Sequence, residues 1–217
     1  MKKKINFRSV HPDLDIPHPT PAYKAIPEWY RTSKPFAEGS ETLKKCVPIL
    51  DSMTAGYSLT LAADVFFNKG LVQDISVSQV VQSHADSQMG DLKIPSEYHS
   101  TVYKWINSFI LKTPKGYSTL FVHPINRIDL PFHSFSGLVD TDRFPLEVNF
   151  PFLIKKDFVG IIPAGTPIAQ AIPVKREDWS SSVEDSLSYK RPAFVHTMHN
   201  PPFNHYKKNF WTRKKYS

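Results

Sequence analysis

Asp140 follows a short apolar run, Gly137-Leu138-Val139, and with His133 and Ser118 or Ser136 it supplies the residue types of a hydrolytic triad. No Gly-x-Ser-x-Gly elbow accompanies them, and serine, histidine and aspartate are common, so strand-end polar groups are the expected role. His196 and His199, with His205 nearby, have types that bind metals. Asn-Pro-Pro follows His199, which opposes a helix carrying both rings, and structural zinc sites usually add cysteines, so a polar loop is expected and no metal site is assigned. Cys46 stands beside Val47 and reads as a small buried apolar residue rather than a nucleophile. At the end of the chain, Tyr206, Phe210, Trp211 and Tyr216 alternate with Lys207, Lys208, Arg213, Lys214 and Lys215. Such a segment can stack on bases while neutralising phosphates. It can equally dock Phe210, Trp211 and Arg213 into a protein surface, which is the chemistry interfaces favour. Docking, with a protein partner or by self-association, is the expectation; nucleic acid bound through the tail is the alternative.

The elements that must position these groups are short. The chain has 217 residues, a length that fits one domain with appendages. Its 19 prolines exceed the background of ~5%, and proline breaks helix interiors and central strands. A mainly β fold with little helix follows. The net charge of +7 is uneven: the nine cations of the two ends outnumber it, and residues 9–206 sum to −2. This describes a near-neutral body with two cationic ends, not a domain crossed by a basic groove. A lone cysteine, a basic start with no apolar run behind it, and no apolar stretch of about 18 residues lead to one expectation. The chain should be neither secreted nor membrane-spanning, and should work in a host cytoplasm or in an assembly built there.

Residues 1–43 read as a proline-rich N-terminal arm. A short strand over residues 2–10 precedes extended chain, and Pro27 opens one helical turn that carries Trp29 and Tyr30. Rings of that size call for a contact with the body or a neighbour. Residues 44–177 read as the β domain. Alternation predicts a strand over residues 56–67 and further strands over 71–81, 102–112, 117–123, 127–140, 146–153, 158–162 and 168–174. Leu59, Leu61, Val65, Leu120, Val139, Val148, Ile162 and Ile168 are the expected core. In the C-terminal arm, 178–217, the spacing of Trp179, Val183 and Leu187 predicts a short helix over residues 178–187, followed by the basic aromatic tail.

Three further segments carry a family likeness: Ala55-Gly56-Tyr57-Ser58-Leu59, Gly137-Leu138-Val139-Asp140 and Gly165-Thr166-Pro167-Ile168-Ala169-Gln170. They resemble the first, third and fourth motifs of the trimeric dUTPase family, over residues 45–177. The resemblance implies a distorted barrel of the β-clip kind. It implies Asp140 as general base for an attacking water, and Phe144 or Arg143 near the ring that stacks on the base. Lys115 and Ser118 fall where the family binds phosphate, and Tyr57 and Gln170 in motifs that touch nucleotide. The chain departs from the pattern at Ser58, where the family has an aspartate that helps organise magnesium. It departs again at Lys115, in place of arginine, and in the tail, which has no glycine where the family has a glycine-rich arm. As a whole the chain also resembles a family of short proteins of tailed phages and some marine bacteria. That likeness lies in Cys46, Pro48 and Asp51, in TPKGYSTLF, in GTPIAQAIPVKREDW and in the aromatic-basic ending. It carries an origin and no activity.

The expected function is a non-enzymatic, phage-type binding or assembly protein on a dUTPase-like β fold, needing no cofactor. The alternatives are a nucleotide hydrolase using Asp140 and Mg2+, and a nucleic-acid accessory protein using the basic tail.

Overall fold

The computed structural model describes residues 3–73, 80–183 and 205–217. It is mainly β. In chain order the strands are β1 (Asn6–Ser9), β2 (Thr20–Pro21), β3 (Phe36–Ala37), β4 (Ser40–Glu41), β5 (Tyr57–Thr60), β6 (Val65–Asn68), β7 (Leu71–Val72) and β8 (Val81–Ser83). They continue as β9 (Tyr103–Trp105), β10 (Phe109–Lys112), β11 (Tyr117–Val122), β12 (Phe132–Ser134), β13 (Gly137–Val139), β14 (Phe150–Ile154), β15 (Gly160–Ile162) and β16 (Pro167–Lys175). Helices are few and short: α1 (Glu28–Thr32), α2 (Val47–Thr54) and α3 (His205–Asn209).

The strands form five antiparallel sheets, and among the described residues none closes into a barrel. The largest runs β13-β11-β16-β5-β2, and a four-stranded sheet runs β12-β14-β9-β8. A three-stranded sheet, β15-β6-β7, and the pairs β1-β10 and β3-β4 complete the set. Two strands of the expected N-terminal arm thus belong to body sheets, β1 on β10 and β2 on β5.

The core is aromatic. Phe67, Trp105, Phe132 and Phe152 are buried, with Trp105 and Phe152 stacked at 3.8 Å between ring centroids. Burying each such ring contributes roughly 1.5–3 kcal/mol. Leu59, Leu61, Val65, Ile162 and Ile168 are buried as expected. Leu120, Val139 and Val148 are only half-buried. On β11 the buried positions are Ser118 on one face and Thr119 and Phe121 on the other; Leu120 shares the Ser118 face and is only half-buried.

The single strand expected over residues 56–67 is two strands. The chain turns after Thr60, where Leu61 N–H donates to Thr166 O and Gly165 N–H donates back to Leu61 O. Ala63 is consequently exposed, and β6 leaves for another sheet. β6 and β7 are joined by Lys69-Gly70, both at positive φ, the backbone a two-residue hairpin turn demands. Helix α2 was not predicted from the sequence. Pro48 lies in its first turn, and Gly56 ends it at φ +70. A Cβ on Gly56 would lie 2.1 Å from Ala171 O, so the close approach of β5 to β16 admits no other residue without rearrangement. Residues 178–183 are not helical, and Trp179 and Val183 are exposed; the rest of the helix expected over 178–187 lies outside the described residues. No helix among the described residues is long and apolar enough to cross a membrane.

Candidate functional site

Asp140 stands where β13 ends, and three buried hydroxyls fix the turn beneath it. Thr141 Oγ1 is 2.8 Å from Thr113 Oγ1 and 2.7 Å from Thr119 Oγ1, and Thr113 donates on to Tyr117 O at 2.9 Å. A buried hydroxyl chain of this kind persists because each member is satisfied. It holds the 140–142 segment against β11 and the turn that precedes it. Arg143 N–H and Phe144 N–H close the turn on Asp140 O, both at 2.8 Å.

On this base sits a charge cluster. Ser118 Oγ donates to Asp140 Oδ1 at 2.7 Å. Arg176, just past the end of β16, lies across both carboxylates. Its NH1 donates to Asp142 Oδ1 at 2.9 Å and to Ser118 Oγ at 3.0 Å, and it is 3.2 Å from Asp140 Oδ1. Its NH2 donates to Asp142 Oδ2, which also accepts Gly116 N–H at 2.8 Å. The two acids differ in exposure: 51% for the Asp140 side chain and 3% for that of Asp142. The Arg176 guanidinium, with the Gly116 N–H, holds the Asp142 carboxyl well below the usual carboxylate range. Sequence reasoning missed both Arg176 and Asp142. The only trace in the sequence was Asp-Thr-Asp at 140–142, an alternation that puts two carboxylates on one side of a turn.

The expected nucleotide-contacting residues do not converge. Ser118 and Asp140 touch. Lys115 is exposed on the turn beside Gly116, and Phe144, partly exposed, follows Asp140. Gln170 lies opposite Val122 on β11, four residues from Ser118, or about 13 Å along the strand. Its amide is spent on the backbone. Nε2 donates to Ser52 O at 2.8 Å and Ala55 O at 2.6 Å, and Oε1 accepts Ile125 N–H at 3.1 Å. Beside it a cavity of ≈ 10 Å³, about one water in size, is lined by Ser58, Met53 and Pro124 among others. The buried Ser58 hydroxyl has no hydrogen-bond partner among the described residues.

Tyr57 belongs to a different place again. It lines an open cleft of ≈ 450 Å³ with Lys3, Lys4, Ile5, Phe7, Pro19 and Pro21, at whose edge lies Ser217. Its ring meets Phe7 edge-on at 5.2 Å, and its hydroxyl donates to Ser217 O at 3.4 Å.

His133 sits on β12 in the four-stranded sheet, stacked on His123 at 4.6 Å. His123 Nδ1 accepts Ser134 N–H at 3.2 Å, so that nitrogen must keep its lone pair. Burial first, and then the His133 ring, lowers the His123 pKa to about 4. His196 and His199 lie outside the described residues. Among those described, no group of three or more His, Cys, Asp or Glu is placed to hold a metal ion. The Mg2+ of the hydrolase reading is a poor fit to the donors here. The carboxylates that would bind it already carry a guanidinium, and Ser58 is a buried neutral hydroxyl.

The arms carry their aromatics inward. Tyr30 is buried, with its hydroxyl donating to Lys44 O at 3.1 Å, and Trp29 Nε1 donates to Asn126 O at 3.0 Å. In the tail, Trp211 Nε1 and Lys214 Nζ both donate to Asp51 Oδ2 on α2, at 2.8 and 2.6 Å. Arg213 is exposed, and the Phe210 ring is about half exposed.

No family model matches the chain, and no curated protein matches it.

Proposed function

We propose that this chain is a non-enzymatic binding or assembly protein of phage type, built on a dUTPase-like β fold whose motif residues have turned to structural work. The observation that carries this reading is the Arg176 clamp over Asp140, Asp142 and Ser118. A general base needs a lone pair free to take a proton from water. Asp140 Oδ1 is taken up by the Ser118 hydroxyl and faces the guanidinium, so this oxygen is tied into the clamp. Gln170 and Ser58 support the reading from the other end of the sheet, since one holds α2 to β16 and the other is sealed inside. The exposed edge β13, with Leu138, Phe144 and Leu146 uncovered around it, gives this face a surface suited to a protein partner or a second copy.

The rival with its own observation is the hydrolase: Asp140 is half exposed and Ser118 is in contact with it. Incubating purified protein with dUTP and Mg2+ separates the two. The expected outcome is no pyrophosphate above background, with wild type and Asp140→Asn indistinguishable. Turnover that Asp140→Asn abolishes would replace this reading with the enzyme. Light scattering after size exclusion then tests assembly, which predicts a concentration-dependent increase in mass.

A further inference from the structure

We infer that the cleft where the two ends of the chain meet is a seat for a nucleotide unit, with its phosphate on Lys3 and Lys4 and its base against Phe7 and Tyr57. The inference gives the binding-protein reading a ligand class and rests on it.

Along the sequence the cationic ends are as far apart as residues can be. In the fold the two chain ends meet at one cleft: Lys3 and Lys4 line it from the first end, Ser217 from the last, and Tyr57 from the body. Tyr216 packs edge-on against Tyr57 at 6.2 Å, which draws the tail to the same wall. Residues 3–9 and 205–217 contain no Asp or Glu, while residues 9–206 sum to −2. Lys3 and Lys4 put two cations on the cleft with no Asp or Glu among its lining residues, which suits an anion.

The lining is suited to more than charge. Ile5, Phe7, Pro19, Pro21 and Tyr57 make an apolar floor, and the ≈ 450 Å³ volume falls within the size of small-ligand sites. Phe7 and Tyr57 meet at 65° between planes, so both faces of a flat ring cannot be covered by one stack. One base seated on the floor, with its phosphate reaching the lysine rim, satisfies both parts. Lys3 Nζ lies 4.9 Å from the Tyr117 ring centroid, so a phosphate would have to draw it from that ring. Aromatic floor plus cationic rim is the chemistry by which single-stranded nucleic acid is held without sequence readout. A lone mononucleotide offers the same groups.

Fluorescence anisotropy at low salt, with labelled oligo(dT) and labelled dTMP as probes, tests this. Tight binding of oligo(dT) with weak dTMP assigns the seat to a strand, and equal affinities assign it to a free nucleotide; either supports the inference. Lys3→Glu with Lys4→Glu should weaken binding at least about tenfold. It should also lower the log–log salt slope by about 1.4, at ~0.7 per lost phosphate contact. An abasic oligonucleotide should bind about tenfold more weakly than oligo(dT). The inference is overturned if neither probe binds at about 100 µM protein, or if the double lysine variant, its melting temperature unchanged, binds as wild type does. It is also overturned if the abasic strand or polyglutamate binds as well as oligo(dT), for the site is then a plain anion or acidic-peptide surface. Recovery of intact dUTP in a parallel incubation reports on hydrolysis separately, so failure of this inference and failure of the binding-protein reading give different results.

Discussion

Gln170, on β16, and Asp140, just past the end of β13, belong to one sheet with β11 between them, and they meet opposite fates. At the Gln170 end the polar groups are sealed. The amide holds two carbonyls of the α2 segment and one loop N–H, and α2 rides on it. At the Asp140 end the cluster faces solvent on one side, and a single arginine reconciles two acids and a serine. Buried polar groups must be satisfied internally or cost stability, so the first end is built for the fold. The second end keeps a half-exposed carboxylate, held at the surface by Ser118 and Arg176 rather than sealed inside. The difference teaches that two residues of one sheet can be held for different reasons, and that only the hydrogen bonds around each tell a sealed role from a surface one.

The largest effect expected from this contrast is Gln170→Ala. It removes the Gln170 bonds to Ser52 O, Ala55 O and Ile125 N–H at once, leaving Ser52 O only the long Ala55 N–H contact at 3.4 Å. At roughly 1 kcal/mol for each hydrogen bond, about 3 kcal/mol of unfolding free energy should be lost in urea denaturation. A neutral result would mean that the Gln170 end is not structural, and the comparison would fail there.

The Asp140 end is probed next, through Asp142 and Arg176. The folded-state pKa of Asp142 is depressed, by Arg176 first and by Gly116 N–H after it. Stability from this group is therefore present above the ordinary carboxylate pKa of about 4 and is lost as pH falls through the depressed value. Unfolding curves of wild type should decline below about pH 4, and Arg176→Ala or Asp142→Asn should flatten that limb. An unchanged limb in both variants would remove the clamp from the account.

Much of this was legible in the sequence, and the rest was hidden for physical reasons. Strand content, the helical turn after Pro27, the inward rings of Trp29 and Tyr30, and the buried Leu59, Val65 and Ile168 follow from proline spacing and period-two alternation. The break after Thr60 did not, because the alternation runs through it; only the Gly165 turn, a hundred residues on, reaches back to bend the chain. Leu120 was misplaced for a similar reason: β11 buries Ser118 and Thr119 in polar contacts, and hydropathy has no way to see a satisfied hydroxyl. Helix α2 is eight residues with a proline in its first turn, too short for periodicity to announce. Asp140 was visible through its motif. Arg176 was not, since pairing β11 with β16 is what brings it to the turn before β11. The meeting of the two chain ends at the Tyr57 cleft was invisible for the same reason.

His123 sharpens the sealed end from a different side. It precedes the Pro124-Ile125 segment that Gln170 holds, and burial keeps it neutral with a pKa lowered to about 4. Its contribution is complete above its ordinary value near 6.5 and declines as pH falls toward 4. The decline should amount to about 1–2 kcal/mol between those limits, a figure already reduced for solvent screening. His123→Asn should remove this limb of the pH–stability curve while leaving the one below pH 4. A limb that persists unchanged would belong to another histidine.

The smallest effect concerns α2, which the sealed end holds from within and the tail holds from outside. Asp51 on α2 accepts both Trp211 Nε1–H and Lys214 Nζ–H on one oxygen. The two donors are not equivalent. Trp211 is half-buried, so its ring leaves water when the tail docks; Lys214 is exposed, and its attraction is screened by salt. Trp211→Ala should therefore cost about 1 kcal/mol, at low and high salt alike. Lys214→Ala should show a smaller loss that disappears at high salt. Deleting residues 206–217 should reproduce the salt-independent part, and combining that deletion with Gln170→Ala should be non-additive, since both act on the same eight-residue helix. If the deletion instead leaves stability unchanged at every salt concentration and abolishes oligo(dT) binding, the tail is a nucleic-acid arm that rests on α2 without holding it, and α2 is secured by Gln170 alone.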